Sequence, residues 1–138
     1  MTILLDTNVI SETTKQIPDA NVLGFLAVVD RGFISVVTIH ELQFGICRLP
    51  PSQRRSDLAA AVDRLIATFE VAIIDLDRGM AARAGQLRAD AQAKGRVLHL
   101  ADALIAATAL ERGLHLATGN VSDFTGLGLA IINPWDPP

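Results

Sequence analysis

Asp6, Glu41, Asp102 and Asp123 are widely separated in the chain, yet each lies near the start or end of a strand or helix. Drawn within a few ångströms of one another, four carboxylates would repel, and only protons or a cation would relieve them. An oxygen-only set without His or Cys suits Mg2+ or Mn2+ rather than zinc, and Mg2+ keeps waters while engaging phosphate oxygens. Such an ion polarises a phosphodiester, lowers the pKa of an attacking water and stabilises the leaving oxygen. The chemistry implied is phosphodiester hydrolysis. Each acid also has a plain structural use. Asp6 can cap the helix after the first strand, and Thr38-Ile39-His40-Glu41 matches a capping box with Thr38 at N-cap and Glu41 at N3. Asp102 complements a helix dipole, and Asp123 suits a turn.

What decides between these readings is the set of elements that carry the acids. Ile3-Leu4-Leu5 reads as a short strand ending at Asp6, followed by helices over about Asn8 to Thr14 and Asp19 to Asp30. Phe33 to Val37 reads as a second strand, and Thr38 opens a helix that stops at Leu49-Pro50-Pro51. Ser52 can cap the next helix, which carries Leu58, Val62, Leu65 and Ile66 at helical spacing. Val71 to Ile74 is strand-like, Asp77 can cap a helix to Lys94, and Gly95 suits its C′ position. A helix from about Leu100 ends at Gly113, and His115 to Ala117 and Leu129 to Ile132 make two last strands. No repeat or linker breaks the 138 residues, which read as a single domain, 1–138.

Short, continuously apolar strands alternating with helices predict an α/β fold: three layers, α/β/α, around a parallel sheet of about five strands. Right-handed crossovers then align the C-terminal ends of the strands along one edge, and ligands bind outside it where the strand order reverses. Asp6 ends the first strand, and Glu41 lies about 5 Å along the helix leaving the second. Asp102 begins the helix leading into the fourth strand, and Asp123 lies in the loop after it. All four map to that edge.

Composition narrows the classes further. Half the residues are apolar and 20% are charged, enough for a sizeable core and against disorder. No apolar run approaches the length a spanning helix needs, and the start meets Asp6 before any secretory h-region could form. One cysteine, Cys47, cannot pair within the chain, so a cytoplasmic location without a membrane role is expected. The net charge of −3 is not that of a typical nucleic-acid binder. Nine of the twelve basic residues, however, fall between Arg48 and Arg96, and Arg54 and Arg55 beside the Pro50-Pro51 turn are the candidates for RNA contact. Arg78, Arg83 and Arg88 turn about 140° from one to the next and form no stripe. His40, His99 and His115 are not required as bases if a metal-bound water attacks.

Asp6-Thr7-Asn8-Val9-Ile10-Ser11-Glu12 after a first apolar strand, Glu41 after the second, Ala101-Asp102-Ala103-Leu104-Ile105-Ala106-Ala107, and Thr118-Gly119-Asn120-Val121-Ser122-Asp123-Phe124 occur in the order seen in PIN-domain nucleases. Over nearly its whole length the chain resembles a VapC-type toxin, and with its Asn133-Pro134-Trp135 ending it is most similar to the FitB-like branch. The resemblance implies an endoribonuclease that cuts structured RNA such as tRNA, leaving a 5′-phosphate and a 3′-hydroxyl. Its acidic metal site corresponds to Asp6, Glu41, Asp102 and Asp123, with Asp6 and Asp102 the most direct ligands of Mg2+ or Mn2+. Asn120 matches a polar position near the metal, and Thr7 and Thr118 could orient water or phosphate. Gly119 stands where relatives commonly carry Arg, so a phosphate-facing cation is missing there. The resemblance also implies a cognate antitoxin, a small DNA-binding protein of the VapB or FitA kind whose Arg enters the acidic cleft. It further implies homodimers, with higher assemblies on operator DNA. The apolar surface around Val22, Leu23, Leu26 and Phe44 could serve dimerisation or the core.

Three alternatives compete. Ile73-Ile74-Asp75-Leu76-Asp77 resembles the aspartate pair of a dehalogenase-type phosphatase, but Gly79 stands where that pattern wants Thr or Val. A phospho-receiver domain needs a lysine after its last strand, and the only lysines are Lys15 and Lys94. A catalytically silent PIN subunit binding RNA or protein is the third, against which stands the presence of all four acids.

Overall fold

In a computed structural model, which describes residues 1–68 and 71–138, five strands form one sheet: β1 (Thr2–Leu5), β2 (Arg31–Ser35), β3 (Ala72–Ile74), β4 (His115–Ala117) and β5 (Ile131–Ile132). Their order is β3-β2-β1-β4-β5, and every pairing is parallel. From β1 the chain winds outward through β2 to β3, then returns to place β4 on the other side of β1. The order therefore reverses between β1 and β4, beneath the loops that begin with Asp6 and Thr118.

Seven helices cover the sheet among the described residues: α1 (Thr7–Glu12), α2 (Ala20–Val28), α3 (Val36–Cys47), α4 (Gln53–Thr68), α5 (Arg78–Ala93), α6 (Leu100–Arg112) and α7 (Val121–Phe124). Strand side chains alternate between two cores, as the pleat requires. Ile3, Leu5, Ile34 and Ala117 join Val9, Val22, Leu26, Leu42 and Val62 on the face covered by α1 to α4. Leu4, Phe33 and Leu116 join Met80, Ala84, Ala106 and Phe124 under α5 to α7. This is the expected three-layer α/β/α arrangement. Alanines 103, 106, 107 and 109 of α6 are buried, so this helix lies close against its neighbours and its first turn is held firmly at the sheet edge.

Several boundaries differ from the sequence reading, for identifiable reasons. Val36 and Val37 are β-branched yet helical. The side chain of Ser35 caps α3 by accepting the Val37 N–H at 3.0 Å, and Val37 packs into the core, outweighing strand propensity. The capping box at Thr38 is thus overturned: Ser35 is the N-cap, Thr38 is fully buried inside the first turn of α3, and Glu41 is not needed to cap anything. Asp123 sits in a short helix, α7, rather than in an open turn. Asp77 does cap α5, accepting the Met80 N–H at 2.8 Å, and Gly113 takes the left-handed conformation that closes α6. The apolar set proposed for dimerisation divides. Val22 and Leu26 are core residues, whereas Leu23 and Phe44 are 43% and 62% exposed. No helix among the described residues is long and apolar enough to cross a membrane.

Candidate active site

At the reversal of strand order, backbone bonds tie the two loops together: Asp6 N–H donates to the Ala117 carbonyl at 2.9 Å. Asp6 is the N-cap of α1, accepting the Thr7 N–H on Oδ1 at 2.8 Å, so its capping role and its place at the edge coexist. Its other oxygen accepts the Thr118 hydroxyl at 2.8 Å. Thr118, fully buried, also receives the Asn8 side-chain amide at 3.3 Å and the Asn120 N–H at 3.0 Å. The Thr7 hydroxyl donates to Glu41 Oε1 at 2.7 Å and lies 3.0 Å from Thr38 Oγ1. Both threonine hydroxyls are therefore engaged in aiming carboxylates.

Asp6 and Asp102 feel the charges around them. Asp6 is 5% exposed, and burial first, then Asp102 and Glu41, push its pKa up to about 6 against the hydrogen bonds from Thr118 and Thr7. Half-buried Asp102 is also raised, by burial and by the charges of Asp123 and Glu41, against a lowering by nearby His99. Asp6, Glu41 and Asp102 line a pocket of about 380 Å³ together with Thr7, Asn8 and Asn120. Asp123 is exposed and outside that lining, and its charge acts on Asp102. No three acidic, His or Cys side chains among the described residues are drawn tightly enough to enclose a metal ion by themselves. An oxygen-only, mutually repelling set that leaves coordination positions to water and phosphate suits a hydrated hard cation, not a closed structural site.

A PIN-domain profile matches residues 3–124. The chain belongs to the PIN-domain family. It is similar to the VapC ribonuclease Y4jK of Sinorhizobium fredii, with 36% identity over 138 residues covering 98% of this chain and 99% of that protein. It is 30% identical to the tRNA(fMet)-specific endonuclease VapC of Shigella flexneri over 132 residues, covering 96% of each. The crystal structure of FitAcB from Neisseria gonorrhoeae superposes with a TM-score of 0.86 at 32% identity, over 97% of this chain and 99% of that one. The expected likeness to VapC-type and FitB-like proteins is thus met along the whole chain.

Other parts of this PIN domain were not legible as site residues. Buried Glu12 and exposed Lys15 line the acidic pocket and pair at 2.9 Å, and Trp135 closes one of its sides. Arg96 donates to the carbonyls of Ser122, Asp123 and Thr125, clamping the C-terminal end of α7 and so the backbone of Asp123. The sequence signal for Arg96 was only its place after the helix-ending Gly95. Arg55 and Arg54, by contrast, do not line the acidic pocket. Arg55 borders a separate hollow with Gln43, Cys47 and Ser52, and its guanidinium donates to the Leu49 carbonyl at 3.4 Å. Asp75 is exposed away from the acidic pocket, and Asp77 is occupied as a cap, so the phosphatase pairing has no site here.

Gly119 acquires a physical reason. A Cβ at this position would lie 2.7 Å from Trp135 Cζ3 and 2.8 Å from Cε3. Trp135 is held in place: its backbone N–H donates to Asn133 Oδ1 and its backbone carbonyl accepts from the Asn21 side chain, which fix the main chain, while its ring packs on the apolar core. Gly119→Ala is therefore expected to cost about 1–3 kcal/mol of stability in urea unfolding. Because Trp135 is the only tryptophan, its emission should shift in the folded variant. Unchanged stability and emission would show that the ring moves freely.

Proposed function

We propose that this chain is the endoribonuclease toxin of a toxin–antitoxin module, hydrolysing phosphodiester bonds of structured RNA, tRNA foremost, with Mg2+ or Mn2+ held by Asp6 and Asp102. The observation that carries the reading is that Asp6, Glu41 and Asp102 line one pocket at the reversal of strand order, with Asp6 buried and its pKa pushed up to about 6. The names of the VapC relatives support RNA as substrate, and the tRNA(fMet)-specific relative supports tRNA.

Bound there, a divalent ion supplies positive charge for the phosphate and lowers the pKa of the attacking water. Thr118 and the Thr7 N–H hold the Asp6 oxygens in place, and Thr7 turns Glu41 toward the same pocket. Asp102, in the first turn of α6, presents a carboxylate from a rigid, closely packed helix. Asp123, exposed and acting on Asp102 through its charge, would add to the negative charge that draws the ion. Asn120 lines the pocket as a neutral polar contact for substrate. An antitoxin arginine facing this cluster would form charge-assisted pairs in place of the ion, which is how a cognate small DNA-binding protein would silence the toxin.

Protein purified free of any partner is expected to cleave bulk tRNA with Mg2+ or Mn2+, stop with EDTA and resume on adding excess Mg2+. Cleavage that persists undiminished in EDTA would refute metal-dependent hydrolysis.

A further inference from the structure

An RNA phosphate approaching this pocket meets Asp6, Glu41 and Asp102, so even with an ion bound it needs a compensating cation. Lys15 is the one basic side chain lining the pocket among the described residues. It lies just beyond α1, where its N–H donates to the Glu12 carbonyl at 3.2 Å and the preceding Thr14 and Thr13 repeat the same i to i+3 turn. The hydroxyls of Thr13 and Thr14 reinforce that turn by donating to the Ile10 and Ser11 carbonyls, each at 2.7 Å. The ammonium is tethered as well: Nζ donates to Glu12 Oε1 at 2.9 Å, and the Glu12 side chain is only 7% exposed while that of Lys15 is 64% exposed. A buried carboxylate thus holds a solvent-facing ammonium at the pocket wall. One of its three donors is used and two remain for phosphate oxygens. Ordering the lysine before substrate arrives lowers the entropy that binding must otherwise supply.

We infer that Lys15, positioned by Glu12, binds an RNA backbone phosphate next to the scissile one. This rests on the reading of the acidic pocket as an RNA-hydrolysing site. The test is steady-state cleavage of bulk tRNA with Mn2+ over a series of salt concentrations. Lys15→Ala is expected to raise KM about tenfold with kcat within about twofold. The slope of log(kcat/KM) against log salt should become shallower by roughly 0.7 to 0.9, as for one lost phosphate contact. Lys15→Arg should restore most of both, because the charge stays at the pocket wall. Glu12→Gln, which keeps the lysine but weakens its tether, should raise KM by an intermediate factor with the slope kept. A Lys15→Ala enzyme with wild-type KM and slope overturns the inference while the wild type still cuts RNA. So does a variant that only loses thermal stability with its slope unchanged. A wild type that cuts no RNA with either metal overturns the reading of the site itself.

Discussion

Replacing Asp102 by Asn, or Asp6 by Asn, is expected to lower RNA cleavage on the order of a thousandfold or more while the fold survives. Asn matches Asp in shape, so neither change opens a cavity, and Asn at position 6 remains a good helix cap. What each removes is charge at the point where the carboxylates are coupled: Asp6 senses Asp102 and Glu41, and Asp102 senses Asp123 and Glu41. Losing either central member leaves the others too weak or too scattered to retain a hydrated ion. Asp123→Asn should cost less, because Asp123 is exposed and coupled directly only to Asp102. Single-turnover cleavage alongside circular dichroism measures this. Wild-type rates in both Asp6→Asn and Asp102→Asn would remove the acids from the mechanism.

The same Asp6→Asn change is expected to stabilise the metal-free protein at pH 7.5. Asp6 has a folded pKa of about 6 against an ordinary 3.8, so the folded state binds a proton that the unfolded chain has released. Stability from this group is therefore fully present below pH 3.8, falls as pH rises through the interval from 3.8 to 6, and is lost above it. A displacement of about two pK units corresponds to roughly 3 kcal/mol, an upper value because the unfolded chain is not fully solvated and Asn loses one acceptor for the Thr118 hydroxyl. Asp102, also raised, adds to the same trend. In EDTA, wild-type stability by urea unfolding should thus decline between pH 4.5 and 7, and Asp6→Asn should flatten the decline and raise the midpoint at pH 7.5. Millimolar Mn2+ should reverse the ranking by stabilising only the wild type. A flat wild-type profile in EDTA would show that the carboxylates are not in conflict.

The sheet and the four acids were readable because the strands are short apolar runs with charged ends, and parallel topology sends those ends to one edge. Asp6 and Asp102 needed no more than that. The start of α3 was misread because Val36-Val37 continues a β-branched run, and only burial of Val37 and the Ser35 cap make it helical. In α2, with Val22-Leu23-Gly24-Phe25-Leu26 apolar all round, periodicity offered no inner face to choose, so core Val22 and exposed Leu23 were grouped together. Trp135, Lys15 and Arg96 escaped for a different reason. Trp135 reaches the pocket by packing over Gly119, Lys15 through a tether to a buried carboxylate, and Arg96 by spanning to α7. The first and last of these pairings are long-range and leave no periodic trace, and the i,i+3 spacing of Glu12 and Lys15 does not reveal that Glu12 is buried.

The central claim is that these side chains hold a divalent cation, and counting Mn2+ by electron paramagnetic resonance tests it most directly. Titrating Mn2+ into the purified wild-type protein at pH 7.5 should quench the free-ion signal until the site fills. Asp6→Asn and Asp102→Asn should leave the signal that of buffer alone. Equal Mn2+ uptake by wild type and both variants, or none by the wild type, would contradict the account.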